Sequence, residues 1–97
     1  MHVRVTHIQI HPDKFDEATS LYESSVVPAA RQQKGFKSIT LLTDRATGKS
    51  ISLSYWESEA DMAAGEASGY YQQQIAKFAP FMIAQPVRET YEVTVQA

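Results

Sequence analysis

The chain has 97 residues, a formal net charge of −2 and no cysteine. This length predicts one domain over residues 1–97, and the scattered lysine and arginine residues form no basic surface for nucleic acid or anionic lipid. The absence of cysteine excludes disulfides, thiolate metal sites and thiol nucleophiles. No long apolar stretch is present and the N-terminus alternates, so we expect neither a membrane span nor a signal peptide, and a cytoplasmic location.

The first predicted element is a strand over residues 2–10, where side chains alternate with period two. One face carries Val3, Val5, His7 and Gln9, and the other carries Arg4, Thr6, Ile8 and Ile10. Branched apolar residues occur on both faces, which indicates that this strand is covered on both sides.

A helix is predicted to start at Pro12 and Asp13 and to run to about Gln33, and from Phe15 its apolar residues recur at helical spacing. Pro12 suits the turn that starts it, and Gly35 is expected to end it. Pro28 lies inside this range and lacks the N–H that a regular helix would use, so we expect a kink.

A hairpin is predicted next, with strands over residues 36–43 and 49–56 and Gly48 at positive φ in the turn. The second strand places Ile51, Leu53 and Tyr55 on one face and Ser50, Ser52, Ser54 and Trp56 on the other. Trp56, the only tryptophan, is therefore a large ring on a serine-lined face. Two interpretations stay open: the ring lines a small-molecule pocket, or it fills a gap beneath the next helix.

Two further helices and a last strand complete the pattern. Ser58 begins a helix over residues 59–67, with Asp61 placed three residues later as in a capping box. Another helix is predicted over residues 70–81 and a closing strand over residues 87–95. The predicted order is strand, helix, strand, strand, helix, strand (βαββαβ).

This order predicts an α+β fold of the ferredoxin-like type, with a four-stranded antiparallel sheet and both helices on one face. The other face would carry apolar side chains that a monomer of this size should not expose. A second copy that lays its own sheet over that face resolves the conflict, so we expect a homodimer.

The βαββαβ order, the turn into the segment SYWESEADM and the later segment SGYYQQQIAKFAPFM resemble the antibiotic-biosynthesis monooxygenase domain, a branch of the dimeric α/β barrel superfamily. The likeness covers essentially the whole chain. It implies a dimeric α/β barrel with a cavity between sheet and helices in each subunit. In relatives that cavity serves cofactor-free oxygenation of polyphenols, haem breakdown, or no known chemistry.

The resemblance does not extend to the haem-degrading relatives. They have an asparagine in the first strand, where this chain has His7, and a tryptophan and a histidine on the later helices, where it has Gly65 and Ile75. The usual axial ligand is thus missing, and we expect no haem and no other cofactor. No metal site is expected either, because His7 and His11 lie about 13 Å apart along one strand face.

Oxidation of a phenol or quinol by O₂ without a cofactor requires a base, donors for the developing oxyanion and a dry cavity. His7 is the candidate catalytic base, because a free imidazole has a pKa of about 6.5 and its strand position is expected to aim it under the helices. The alternative is a histidine packed on the sheet. Trp56, Tyr71, Tyr22 and Arg88 are candidate substrate-binding residues, against the alternatives of core aromatics and a solvated or dimer-rim arginine.

We therefore expect a cofactor-independent monooxygenase-like protein that acts on a small planar aromatic or quinol-type substrate. The alternative is a non-catalytic or stress-associated homodimer of the same fold that binds a hydrophobic metabolite. Expected partners are a second copy of the chain and a small aromatic ligand, with neither nucleic acid nor a membrane.

Overall fold

The structure, a computed structural model, describes all residues from 1 to 97. Its strands are β1 (His2–Gln9), β2 (Phe36–Asp44), β3 (Lys49–Trp56) and β4 (Val87–Glu92). They form one four-stranded sheet in the order β2, β3, β1, β4, and all neighbouring strands are antiparallel. This arrangement confirms the predicted ferredoxin-like α+β fold.

The two connections that cross the sheet are helical. The first contains α1 (Phe15–Leu21), a π-helical turn (Tyr22–Val26) and α2 (Val27–Arg31), and the second contains α3 (Glu59–Ala67) and α4 (Tyr70–Phe78). Short 3₁₀ turns at Pro12–Lys14 and Ala79–Phe81 precede α1 and follow α4, so the helix predicted over 70–81 divides into α4 and a 3₁₀ turn. No helix combines the length and the hydrophobicity that a transmembrane span needs.

A π-helical turn lies just before Pro28, where the sequence predicts a kink. The N–H of Val27 donates to the carbonyl of Tyr22, five residues earlier rather than four. Pro28, which has no N–H to donate, then falls in the first turn of α2, where a missing donor is tolerated. The helical region ends at Arg31, slightly before the predicted end, and Gly35 follows with a φ of 80°.

The structure reproduces the predicted bounds of β3 and α3 but shortens β4. Ser58 caps α3 as expected, because its Oγ accepts a hydrogen bond of 3.1 Å from the N–H of Asp61. The last strand ends at Glu92 and not at Val95. Glu92 pairs with His2, the first residue of β1, so the strand stops where its partner begins.

The cross-strand register decides which side chains face the helices. Arg4 pairs with Ser54 and Thr6 pairs with Ser52, so these four side chains share one face of the sheet. The helical connections cover this face. The apolar cluster between sheet and helices consists of Ile8, Ile10, Ala18, Tyr22, Val26 and Phe78.

The other face of the sheet, called here the open face, carries apolar side chains that no helix covers. Val87 is 57% exposed, Tyr91 52% and Leu42 48%. The register also places Val3, Val5, His7, Ile51, Leu53 and Tyr55 on this face. Such a surface fits the expected homodimer, which stays a prediction.

Candidate functional site

A small cavity lies between the helix-covered face of the sheet and the helices. Its volume of about 40 Å³ holds a few water molecules, whereas typical ligand pockets measure ~300–1,000 Å³. A planar ring can therefore enter only if lining side chains move outward. The lining residues are Arg4, Thr6, Ile8, Tyr22, Val26, Ile39, Ser52, Ser54, Tyr70, Tyr71, Gln74, Ile75 and Phe78.

Tyr22 brings a buried hydroxyl to the cavity from the π-helical turn. Its Oη lies 2.8 Å from Ser52 Oγ on β3, and its ring meets Phe78 edge to face with centroids 6.0 Å apart. Burial raises the pKa of Tyr22 to about 12, and the hydrogen bond with Ser52 offsets only part of that rise. The hydroxyl is therefore neutral near pH 7, so it can donate a hydrogen bond but cannot act as a base.

Tyr71 brings a second hydroxyl to the cavity from α4. Its Oη lies 3.0 Å from Thr6 Oγ1 on β1, and the guanidinium carbon of Arg4 lies 4.4 Å from its ring centroid. Burial also raises the pKa of the neighbouring Tyr70, another lining residue. Of the residues predicted from the sequence, Tyr22 and Tyr71 are thus brought together on the walls of one cavity.

Arg4 is the only charged residue that lines the cavity, and it is 3% exposed. Its Nε donates to Glu66 Oε2 at 3.1 Å, and its Nη2 donates to the carbonyl of Met62 at 2.9 Å. Its guanidinium carbon lies 5.6 Å from the ring centroid of Trp56, in addition to its contact with Tyr71. Two hydrogen bonds and two aromatic rings therefore fix the orientation of this cation.

Trp56 is fully buried and does not line the cavity. Its Nε1 donates to Ser54 Oγ at 2.9 Å, and the rings of Phe36 and Tyr70 meet it edge to face at 5.9 and 6.4 Å. This position matches the interpretation in which the ring fills a gap beneath a helix. Its connection to the cavity is indirect, through Arg4, Ser54 and Tyr70, which all line it.

Arg88 also lies outside the cavity, and its side chain is 44% exposed. Its Nη1 is 2.9 Å from Glu66 Oε1, while the other oxygen of Glu66 holds Arg4, so one carboxylate bridges two guanidinium groups. The Arg88 guanidinium carbon lies 5.6 Å from the ring centroid of Tyr71. Arg88 reaches the cavity through these two residues and not by direct contact.

His7 lies on the open face of the sheet and points away from the cavity, so its expected position under the helices is wrong. Alternation places its side chain opposite that of Thr6, which lines the cavity. His7 Nε2 lies 2.6 Å from Glu89 Oε1, and the Tyr91 hydroxyl donates to the other Glu89 oxygen at 2.9 Å. The hydrogen bonds from Tyr91 and His7 lower the pKa of Glu89. A catalytic role for His7 stays a prediction, and it would require a substrate on the open face.

Sequence reasoning missed Arg4 and Glu66. Arg4 did carry a signal, because it alternates with apolar residues on a strand predicted to be covered on both sides. A charged side chain in that position has to be buried and paired. Glu66 carried none, because its partner Arg4 lies 62 residues away in the sequence.

Residues 1–77 match the model of a family described as antibiotic biosynthesis monooxygenase. An uncharacterized protein from Mycobacterium tuberculosis is 36% identical over 56 residues, which make up 58% of this chain and 25% of that protein. The chain thus spans about a quarter of the length of the curated relatives it matches.

Solved structures share the fold at low sequence identity. A protein of unknown function from Nitrosomonas europaea has a TM-score of 0.79 and 14% identity, with 99% of this chain and 91% of that chain covered. A mutant of SnoaB, a cofactor-independent oxygenase from Streptomyces nogalater, has a TM-score of 0.74 and 13% identity, with 98% of this chain and 94% of that chain covered. A monooxygenase from the ActVA-Orf6 gene of Streptomyces coelicolor, in complex with the ligand nanaomycin D, has a TM-score of 0.74 and 18% identity. The match covers 99% of this chain and 89% of that chain.

Proposed function

Because the chain belongs to the antibiotic biosynthesis monooxygenase family, we propose that it is a cofactor-independent monooxygenase acting on a small planar aromatic or quinol-type substrate. The observation that carries the proposal is the pairing of Tyr71 with Thr6 and of Tyr22 with Ser52 on the walls of a mainly apolar cavity. The oxygenase from Streptomyces nogalater supports this class of reaction, and the nanaomycin D complex supports this class of ligand.

The proposed reaction inserts one atom of O₂ at a ring carbon para to a hydroxyl group. The hydroxyl loses its proton, the resulting anion gives one electron to O₂, and the two radicals combine to form a carbon–oxygen bond. Cleavage of the O–O bond with loss of the ring hydrogen gives a quinone, and the second oxygen atom leaves as water. The substrate supplies all the electrons, so no external reductant is needed.

Tyr22 and Tyr71 are the proposed donors to the developing oxyanion. Both hydroxyls already lie in the cavity wall, hydrogen-bonded with Ser52 and Thr6, and each can direct its proton toward a ligand oxygen. The apolar lining residues, such as Ile8, would exclude water from the reacting ring.

No imidazole or carboxylate lines the cavity. The proposed reaction therefore takes a substrate whose hydroxyl is acidic enough to lose its proton to water near neutral pH. His7 would serve as the base only for a ligand held against the open face.

The same lack of a base favours a second candidate function, a non-catalytic homodimer that holds an aromatic metabolite in the cavity. The two functions differ in oxygen consumption, because a binding protein retains its ligand unchanged.

The test is to incubate the pure protein with a panel of quinols and polyphenols and to follow O₂ consumption. We expect a rate above that of buffer, and we expect Tyr71→Phe to lower it by about a hundred- to a thousandfold, because it removes a donor to the oxyanion. Tyr91→Phe is the matched control, since it removes a hydroxyl from the open face. A rate equal to that of buffer with every substrate would remove the oxygenase function, and saturable binding of the same compounds would then favour the binding protein.

A further inference from the structure

Arg4 has a hydrogen-bonding nitrogen that the fold does not use. Glu66 and the Met62 carbonyl engage Nε and Nη2, whereas Nη1 makes no hydrogen bond within the chain. This nitrogen is not sealed from solvent, because no fully buried side-chain nitrogen or oxygen in the structure lacks a partner. Arg4 is only 3% exposed and lines the cavity, which leaves the cavity as the place where a ligand could meet Nη1.

The charge around this nitrogen is positive. Glu66 is shared between Arg4 and Arg88, so two guanidinium groups and one carboxylate leave a net charge of +1. No aspartate or glutamate lines the cavity. A guanidinium with a donor that the fold does not use, beside a cavity without a carboxylate, favours an anionic ligand, because hydrogen bonds between ionised groups are stronger than neutral ones.

We propose that the cavity takes an aromatic anion, a planar ring bearing a carboxylate or another ionised oxygen, and that this oxygen accepts a hydrogen bond from Nη1 of Arg4. The inference deepens the proposed function and rests on it for the location of the ligand. It defines the substrate class as acids or acidic enols that are ionised before they bind. Such substrates need no base in the cavity.

The surroundings of Arg4 suit this role. The guanidinium group is held by two hydrogen bonds and lies against Tyr71 and Trp56, so little side-chain freedom remains to be lost when an anion binds. Glu66 and Arg88 are positioning residues in this proposal, because they fix Arg4 without lining the cavity.

The experiment compares benzoate with benzamide, two single-ring probes of nearly equal shape that differ in charge. Binding is followed by the fluorescence of Trp56, the only tryptophan, whose ring centroid lies 5.6 Å from the Arg4 guanidinium carbon. We expect the wild-type protein to bind benzoate about ten- to a hundredfold more tightly than benzamide, the range typical of a hydrogen bond to a charged group.

Arg4→Met should bring the ratio of the two affinities close to one. Arg4→Gln, whose uncharged amide nitrogen ends where Nε of Arg4 lies and keeps a donor for Glu66, should do the same and carries the test if Arg4→Met does not fold. Arg31→Met is the matched control, because it removes an exposed arginine at the end of α2 and should keep the full ratio.

Equal affinities in the wild-type protein, or a preference for benzoate that survives in both Arg4 variants, would overturn the inference. This readout is independent of turnover. Oxygen consumption without a preference for benzoate would sink the inference alone, whereas a preference for benzoate without oxygen consumption would support the anion site and sink the oxygenase function.

Discussion

The phenol of Tyr22 makes the stability of the fold depend on pH at alkaline values. Burial raises its pKa from 10.0 to about 12 in the folded chain. Between these values the folded state keeps a proton that the unfolded state has lost, so the free energy of unfolding falls as the pH rises. The stabilising contribution is complete below about pH 10 and is lost as the pH passes about 12.

We expect Tyr22 to account for a loss of about 2 to 3 kcal/mol in the free energy of unfolding across this window, at about 1.4 kcal/mol per pKa unit. In Tyr22→Phe the free energy of unfolding should fall by that much less over the same pH range. Urea unfolding followed by circular dichroism at a series of alkaline pH values measures the difference. Ser52→Ala keeps the phenol and should retain most of the loss. The same pH dependence in the wild-type protein and in Tyr22→Phe would show that this hydroxyl is not buried.

At this scale the sequence predicts which residues share a strand face but not which face the helices cover. Alternation in β1 correctly separates His7 from Arg4, yet both faces carry branched apolar residues, so hydrophobicity cannot rank them. The deciding contact is the pairing of Arg4 with Ser54, which joins segments distant in the sequence. His7 was predicted as a site residue because an imidazole can act as a base. The better indicator of the site was the position of Arg4, a charged residue on a covered strand.

At the scale of elements, local signals predict bounds well and tertiary contacts account for the differences. The alternation of β3 and the cap at Ser58 are local, and the structure reproduces the ends of β3 and α3. The end of β4 depends on where its partner strand begins. The local pattern places Tyr22 and Val26 among the apolar residues at helical spacing, and both are buried, but it does not predict the π-helical turn that they form before Pro28.

Gly69 and Gly48 allow the cost of backbone strain to be separated from the cost of a steric collision. Gly69, the N-cap of α4, has a φ of 87° and open space where a Cβ would lie. Gly48, in the turn before β3, has a φ of 77°, and a Cβ there would collide with the backbone carbonyl of Ile10. An alanine would therefore be strained by the left-handed conformation at both positions, but it would collide with a neighbour only at position 48.

We expect Gly69→Ala to lower the free energy of unfolding by about 1 to 2 kcal/mol, the cost of a left-handed backbone for a residue with a Cβ. Gly48→Ala should add about 1 to 3 kcal/mol to that cost, because the carbonyl of Ile10 would have to move. Urea unfolding of both variants measures the difference. Gly69→Asn is the control, since asparagine tolerates this conformation, and it should cost less than Gly69→Ala. Equal losses for the two alanine variants would contradict the packing around Gly48.

At the scale of the whole molecule, the element order predicts the architecture because few arrangements satisfy it. Two right-handed crossovers in a βαββαβ chain place both helical connections on one face and leave the other face bare. The structure has this arrangement, and its open face carries Val87, Tyr91 and Leu42 with about half of each side chain exposed. The order of elements in one chain does not determine how a second copy would cover these side chains, because an interface depends on the surfaces of both copies.

The open face supports one further expectation, a two-fold homodimer in which each sheet covers the other. Leu53 lies on β3 near the centre of this face, opposite Val5 on β1. Leu53→Glu would place a desolvated charge in the interface, so we expect the wild-type chain to sediment as a dimer at micromolar concentration and the variant as a folded monomer. Ala63→Glu introduces the same charge at an exposed position on α3 and should remain dimeric. A wild-type chain that sediments as a stable, folded monomer would refute the dimer, and the exposed apolar side chains of the open face would then need another partner.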